Sequence, residues 1–304
     1  LHARILRYLD EVVRTGSIRK AAARLGVASS SISRQITDLE GELGSPVFER
    51  MPGKMRLTAA GEMLISHIRQ TLKDHERLMA RIGQMQHPGG GLVRLATQNG
   101  PISGLVPRLA LDFSERFPAV RFSINALTGP ALMAAIKSGE ADIGLGYNLP
   151  NDARVKVLHR VEARLGAVMH PSHPLARKAS LRLAECAQYP IILADASLSL
   201  RQVIDDAALR IRTVLHSTVD TNSTDLMKGF LDDGESLTFL SEPDVLDDVR
   251  AGRLIYLPLL DKSLTVQTLS LVQRENAVPD FSAALFAEEI MRAMTSLPGR
   301  AARE

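Results

Sequence analysis

The sequence predicts a helix-turn-helix head with a two-stranded wing, one long helix, and an α/β body of two lobes. Three observations carry this. Glycines at 16, 26 and 44 divide the first residues into three segments of helical apolar periodicity. A helical pattern then runs from Thr58 to about Gln86, its apolar side interrupted by His75. After His87-Pro88-Gly89-Gly90-Gly91, short apolar strands alternate with helices.

The first segment sets Ile5, Leu6, Leu9, Val12 and Val13 on one side and stops at Gly16. Ser17 offers an N-cap for a second helix near 18–25, where Ala21, Ala22 and Ala23 allow close crossing. Gly26 suits the left-handed backbone of a tight turn. Val27, Ile32, Ile36, Leu39 and Leu43 line one side of a third helix, which Gly44 and Pro46 stop. Two short extended pieces around Pro52-Gly53 read as a hairpin. Thr58 caps the long helix, whose apolar side includes Leu64, Ile68, Leu72, Met79 and Ile82. At about 1.5 Å per residue it is a rod of roughly 40 Å, too long and one-sided to stand alone in water. Pairing with a copy of itself buries the stripe; packing on its own chain is the other solution.

Beyond the linker, strands are expected at 92–97, 120–126, 141–146, 165–169, 191–193, 237–240 and 267–272. Helices are expected at 103–117, 130–138, 199–209, 223–231, 242–251 and 279–296, with a frayed tail from 298. That alternation predicts mostly parallel sheets. The domain reading is a head at 1–58, a linker helix at 59–87, a hinge at 88–91 and a body at 92–304. The first lobe takes about 92–165 and 267–296, and the second about 166–266.

Composition agrees. The 304 residues, 45% apolar and 23% charged, fit two or three compact units. Trp is absent and aromatics are 4%, so aliphatic side chains must fill the cores. The lone Cys186 excludes an internal disulfide framework and reads as a buried thiol. No signal segment opens the chain and no uninterrupted run of 18 apolar residues occurs, so a cytoplasmic location without membrane contact is expected. Residues 1–90 hold 14 Lys and Arg against 9 Asp and Glu, while the remainder holds 23 against 25. Positive charge therefore gathers at the head, which suits a polyanion partner.

A helix-turn-helix presents its second helix to a major groove about 12 Å wide. The outer side of the third helix offers Ser29, Ser30, Ser31, Ser33, Arg34, Thr37 and Asp38. Arg34 can grip guanine or clasp a phosphate; only the first reads sequence. Ser29, Ser30 and Ser33 also fit plain helix capping. Arg50, Lys54 and Arg56 form a short basic wing for the minor groove or phosphates, or an ordinary solvated surface. Arg19 and Lys20 open the second helix and can meet the DNA backbone.

Residues 5–65 closely resemble the winged helix-turn-helix of LysR-type transcriptional regulators. The match runs through Gly16-Ser17-Ile18, Lys20-Ala21-Ala22-Ala23-Arg24-Leu25, Ser33-Arg34-Gln35-Ile36, Pro46-Val47-Phe48-Glu49-Arg50 and Leu57-Thr58-Ala59-Ala60-Gly61. Further on, Leu105-Val106-Pro107, Phe117-Pro118, Gly139-Glu140-Ala141-Asp142-Ile143, His173-Pro174-Leu175 and Gly252-Arg253-Leu254 are similar to that family's effector-binding domain. The resemblance implies two Rossmann-like lobes, like a periplasmic solute-binding protein, with a small-molecule effector between them. It implies double-stranded promoter DNA as partner, a homotetramer of paired dimers, and contact with RNA polymerase. It places Arg34 and Ser33 on the recognition helix, Arg50 on the DNA backbone, and Thr58 at the start of a pairing helix. Ala28, Ser29 and Ser30 depart from the family's frequent Ser-Gln-Pro, which implies a shifted site preference.

In such a body the ligand sits beyond the carboxyl ends of strands. Thr97, Gln98 and Asn99 follow the first strand, and Thr128 follows the second. Ser197, Ser199 and Arg201 could serve the second lobe, and Asn222 follows another extended stretch. Turn or cap duty is equally open for each. No nucleotide loop or other cofactor motif occurs, and the two histidines His170 and His173 lack a nearby carboxylate to complete a metal set. Asp232-Asp233 and Asp247-Asp248 read as solvated charges at helix ends. No enzyme constellation is found; a solute carrier and an architectural DNA binder without effector are the competing readings.

Overall fold

The computed structural model describes residues 3–51, 54–85, 90–277 and 280–297, and the chain divides into two compact units, Leu1–Gln86 and His87–Glu304.

The first unit holds α1 (Ala3–Thr15), α2 (Ile18–Leu25), α3 (Ser29–Leu43), the strands β1 (Phe48–Met51) and β2 (Lys54–Leu57), and α4 (Ala59–Met85). The periodic apolar positions become its core: Leu9 and Val12 of α1, Ala21 and Ala22 of α2, Ile32 and Ile36 of α3, with Ile65 and Ile68 of α4. Gly26 closes α2 in the left-handed region at φ 66°, its N–H donating to the Ala22 carbonyl. Ser17 precedes α2 but makes no side-chain cap; only its carbonyl serves, accepting from Ala21 N–H at 2.9 Å. β1 and β2 pair antiparallel, Phe48 opposite Leu57. Glu40 of α3 fixes this wing: its Oε1 accepts from the Val47 and Phe48 N–H groups at 2.7 and 3.1 Å. Thr58 does cap α4, accepting from Gly61 N–H at 3.0 Å and donating to the Pro46 carbonyl at 2.7 Å. Gly61 itself leaves no room for a side chain, since a Cβ would stand 2.2 Å from the Val47 carbonyl oxygen. Leu78 and Met79, farther along α4, are exposed in the single chain. The hairpin tip Pro52-Gly53, most of the linker (His87-Pro88-Gly89) and the tail from 298 lie outside the described residues, as does the side chain of Ile82.

The second unit contains two five-stranded sheets. The first has the order β4-β3-β5-β12-β6, from β3 (Gly91–Thr97), β4 (Val120–Ala126), β5 (Ile143–Tyr147), β6 (Val155–Ala163) and β12 (Gln267–Arg274). The second has the order β11-β7-β10-β8-β9, from β7 (Leu165–Met169), β8 (Ile191–Ala194), β9 (Ser217–Thr221), β10 (Leu237–Ser241) and β11 (Ile255–Pro258). Around them lie α5 (Asn99–Ser103), α6 (Leu105–Arg116), α7 (Gly129–Ser138), α8 (Leu183–Cys186), α9 (Ser199–Arg210), α10 (Thr224–Gly229), α11 (Glu242–Arg250) and α12 (Phe281–Thr295).

The sheets are mixed rather than mostly parallel. β3 pairs parallel with β4 and β5, but β12 returns from the second lobe and runs antiparallel to both β5 and β6. In the second sheet β10 pairs parallel with β8, and β7 is antiparallel to β10 and β11. The cause is the route of the chain. Only Arg164 separates β6 from β7, so the strand pair passes directly from one sheet to the other. Leu165, assigned to the first lobe from sequence, already pairs with Ser241 in the second sheet. β6 and β11 were not expected, and β9 only as the extended stretch before Asn222. β6 carries Lys156, His159, Arg160 and Glu162, which hide its alternation. The helix expected at 103–117 is α6; the short α5 before it was not expected, and the two part at Gly104, where a Cβ would meet the Pro243 carbonyl oxygen at 2.2 Å.

Each lobe has its own core. Despite the scarcity of aromatics, Phe113, Phe122 and Phe286 meet edge to face in the first, with centroids 4.9 to 5.8 Å apart. Cys186 is buried in the second, and burial pushes its thiol up to about 12.

Candidate DNA interface and interlobe pocket

Amphipathic α3 divides its residues cleanly. Ile32 and Ile36 face the core, and Ser29, Ser30, Arg34 and Thr37 are exposed, with Ser33 half-buried. The N-cap is Ala28, and no side chain caps this end. Capping therefore does not occupy Ser29, Ser30 or Ser33, and the first N–H groups of a fifteen-residue helix are left without a side-chain partner. The Arg34 side chain is 86% exposed, with only the exposed Asp38 carboxylate at 3.9 Å. Thr37 donates its hydroxyl to the Ser33 carbonyl at 3.0 Å, so its oxygen is the free part. Arg19 and Lys20 are exposed at the start of α2, and Arg56 is exposed on β2. Arg50 and Lys54 occupy the wing strands, opposite Met55 and Met51, while their side chains lie outside the described residues.

The second site is a cleft between the two lobes of the body, lined by residues of both. Of the residues expected at an effector site, Gln98, Asn99, Thr128, Ser197 and Ser199 line it. Three do not. Thr97 is 0% exposed, and its hydroxyl turns to the Gln98 carbonyl at 3.2 Å. Arg201 is held by the Asp205 carboxylate, by Asp220 at 2.6 Å and by the Ala194 carbonyl at 2.9 Å. Asn222 takes part through its backbone, its carbonyl accepting from Asn99 Nδ2 at 2.6 Å.

The structure adds Tyr147, Thr224, Asp244 and Gln267 to the walls, over an apolar floor that includes Leu198 and Leu240. The signal for Asp244 was its position: Ser241 and Asp244 form a capping box at the start of α11. Nothing local marks Tyr147 or Gln267, which end and begin strands of the first sheet.

Hydrogen bonds cross the cleft at its closed side. Tyr147 donates to Asp244 Oδ1 at 2.6 Å, and Gln267 Nε2 donates to Ser241 Oγ at 2.8 Å. Lys228 of α10 donates to the Ser103 carbonyl at 3.1 Å and to Asp248 Oδ2 at 2.8 Å. Asp248 is thus not the solvated charge expected, since Arg253 also holds it at 2.6 Å. Asp233 likewise caps a turn, accepting from the Glu235 and Ser236 N–H groups. Burial pushes the Asp244 carboxyl up to about 7, against the opposing pull of Tyr147, the Ser241 N–H and Lys228. His173 is spent on its own loop: Nδ1 accepts from Leu175 N–H and Nε2 faces the Glu235 carbonyl.

Residues 3–62 match the bacterial regulatory helix-turn-helix protein family of lysR type, and residues 86–295 match the LysR substrate binding domain. A probable nitrogen assimilation transcriptional activator of Synechococcus elongatus is 24% identical, over 84% of this chain and 83% of its own. A probable RuBisCO transcriptional regulator of Gracilaria tenuistipitata is 24% identical over 94% of each chain. Among solved structures, full-length CbnR complexed with its target DNA superposes with a TM-score of 0.64 at 18% identity, covering 97% of this chain and all of its own. Full-length BenM gives 0.52 at 22% identity, covering 96% and 97%. Among the described residues no helix is long and apolar enough to cross a membrane. With both of its units matched along their length, the chain belongs to the LysR family of bacterial transcriptional regulators.

Proposed function

We propose that the exposed start of α3 enters the major groove of promoter DNA, with Arg34 reading a base edge and Ser29, Ser30, Ser33 and Thr37 contacting bases or phosphates. The observation that supports this most is the outward face of α3. It is uncapped, hydroxyl-rich and carries an arginine with almost no internal partner. Arg19, Lys20, Arg50, Lys54 and Arg56 flank that face and hold the phosphate backbone. Ser29 is too short to reach an adenine edge without a bridging water, so the operator preference differs from that of relatives with glutamine there.

A small-molecule effector in the interlobe cleft adjusts this binding. Polar side chains of both lobes line the cleft beside its leucines, which favours sensing over an architectural role. Gln98, Asn99, Thr128, Ser197 and Ser199 contact the effector directly; Thr97, Arg201 and Asn222 support the loops that carry them. α4, with Leu78 and Met79 exposed, pairs two copies, and the working assembly is a homotetramer in the cytoplasm that meets RNA polymerase at the promoter.

Footprinting of purified protein on the DNA beside its own gene tests the first part. A protected site is expected, lost in Arg34→Ala while circular dichroism and dimer mass stay unchanged. Equal protection by Arg34→Ala overturns the role of Arg34. Absence of any preferred duplex at moderate salt overturns the regulator reading for this surface.

A further inference from the structure

The cleft is lined by two chemically different groups of residues. α7 and α9, of ten and twelve residues, begin at its wall with N-caps Thr128 and Leu198. Neither helix has a side-chain cap bond, so each leaves first-turn N–H groups and the positive end of its dipole there. Gln98 adds an oriented donor. Its Oε1 accepts from Tyr147 N–H at 2.7 Å, which leaves Nε2 turned toward Gly129 at the start of α7. Thr224 supplies an independent mark of a ligand. It is 3% exposed and lines the cleft, yet no hydrogen bond of its hydroxyl is found among the described residues. That hydroxyl is open to the cleft, where a ligand oxygen can meet it.

The other group is acidic. Asp244 is 3% exposed, and its carboxylate lies between the Tyr147 hydroxyl and Gly100, both of which line the cleft. A Cβ at Gly100 would stand 2.5 Å from Asp244 Oδ1, so this position keeps the backbone pressed on the acid. Among the described residues lining the cleft there is no Lys, Arg or His. Donors without formal charge suit one carboxylate. A second negative charge would meet Asp244 with no cation to offset it.

Resting on the reading of the cleft as the effector site, we infer that its ligand is a small zwitterion, an amino acid. Its carboxylate sits at the starts of α7 and α9, and its ammonium group at Asp244. The titratable groups around Asp244 are the neutral phenols Tyr147 of β5 and Tyr256 of β11, with Lys228 of α10 and Glu242 of α11. Lys228 is turned away to Asp248 and backbone carbonyls, so it does not neutralise the acid directly. An arriving ammonium favours the carboxylate form, and the carboxyl proton leaves to solvent. Binding near pH 7 therefore releases protons, and affinity falls as pH drops below about 7.

The test uses the full-length protein and a panel of the twenty common amino acids with three- to five-carbon ω-amino acids. Each is compared with its deaminated monocarboxylate and with the dicarboxylate of equal length, by thermal shift and titration calorimetry in two buffers of different ionisation enthalpy. At least one amino acid is expected to bind ten-fold or more tighter than both comparison acids, with proton release at pH 7. Asp244→Asn should narrow that gap to within about three-fold, and Tyr147→Phe, which keeps the carboxylate, should preserve it. The inference is overturned if a mono- or dicarboxylate binds at least as tightly as its amino counterpart, if the gap survives in Asp244→Asn, or if no amino acid binds. Acids that bind wild type but not Thr224→Val would leave the cleft as the effector site and remove only the amino-acid class. A cleft that takes no panel member, and whose substitution leaves operator binding under growth metabolites unchanged, would remove both.

Discussion

The outer face of α3 and the interlobe cleft are both candidate binding surfaces, built in opposite ways. The α3 face is convex, exposed and poorly bonded to its own protein: Arg34 has one loose contact and the helix start has no side-chain cap. The cleft is concave and internally cross-linked, with Tyr147 bonded across it to Asp244, Gln267 to Ser241 and Lys228 to the Ser103 carbonyl. A surface that must match a stiff, highly charged duplex keeps its donors free and lets DNA organise them. A pocket for a small molecule has to be organised beforehand, because a small ligand supplies too few contacts to order it. Substitutions should therefore separate binding from stability in the head and couple them in the body.

The largest effect is expected inside the head. Ile36→Ala, on the buried face of α3, should lower stability by about 3 kcal/mol, read as a fall in urea midpoint of the head. Arg34→Ala, two residues away on the outer face, should change stability by less than about 0.5 kcal/mol while weakening operator binding by about 1–3 kcal/mol. Equal effects of the two on stability would erase the division between faces. Next comes Lys228→Met. It leaves the Ser103 carbonyl and part of Asp248 without a partner, and should cost the body about 2 kcal/mol in chemical denaturation. An unchanged midpoint would show that the crossing bonds do not brace the cleft.

A smaller, pH-dependent effect belongs to Asp244. Its folded pKa lies above the usual carboxylate value, so the folded state holds a proton that the unfolded chain has released. Stability from this group is present below about pH 4 and declines as pH rises toward about 7, by at most about 1.4 kcal/mol per pH unit. Asp244→Asn should abolish that decline, and the stability difference between variant and wild type should move in the variant's favour across this window. Parallel stability profiles for the two proteins would refute the assignment. The smallest effect is that of Arg19→Ala, expected to leave sequence preference intact and reduce the slope of log affinity against log salt by about 0.9. A change of preferred sequence instead would make Arg19 a base reader.

The head was largely legible because its elements are local. Apolar spacing within a dozen residues assigns Ile32 and Ile36 inward, and the same spacing leaves Ser29, Ser30 and Arg34 outside. Even there Ser17 misled, since a residue suited to capping need not cap when its carbonyl alone closes the turn. The cleft was half legible. Gln98, Asn99, Thr128, Ser197 and Ser199 stand after strands, where helix starts gather. Thr97 failed because residues alternate across a sheet, and one step along β3 turns the side chain into the core. Arg201 failed because two acids, Asp205 and Asp220, already claim it, and one of them lies nineteen residues away.

From spacing and residue type alone came the three short helices, the wing, the long helix and the two-lobed α/β body, since period and turn chemistry act over a few neighbours. The antiparallel return of β12, the break at Gly104 and the meeting of Tyr147 with Asp244 came from the folded molecule. Those features depend on which distant segments share a volume. Excluded space and the desolvation of a buried carboxylate exist only once those segments have come together.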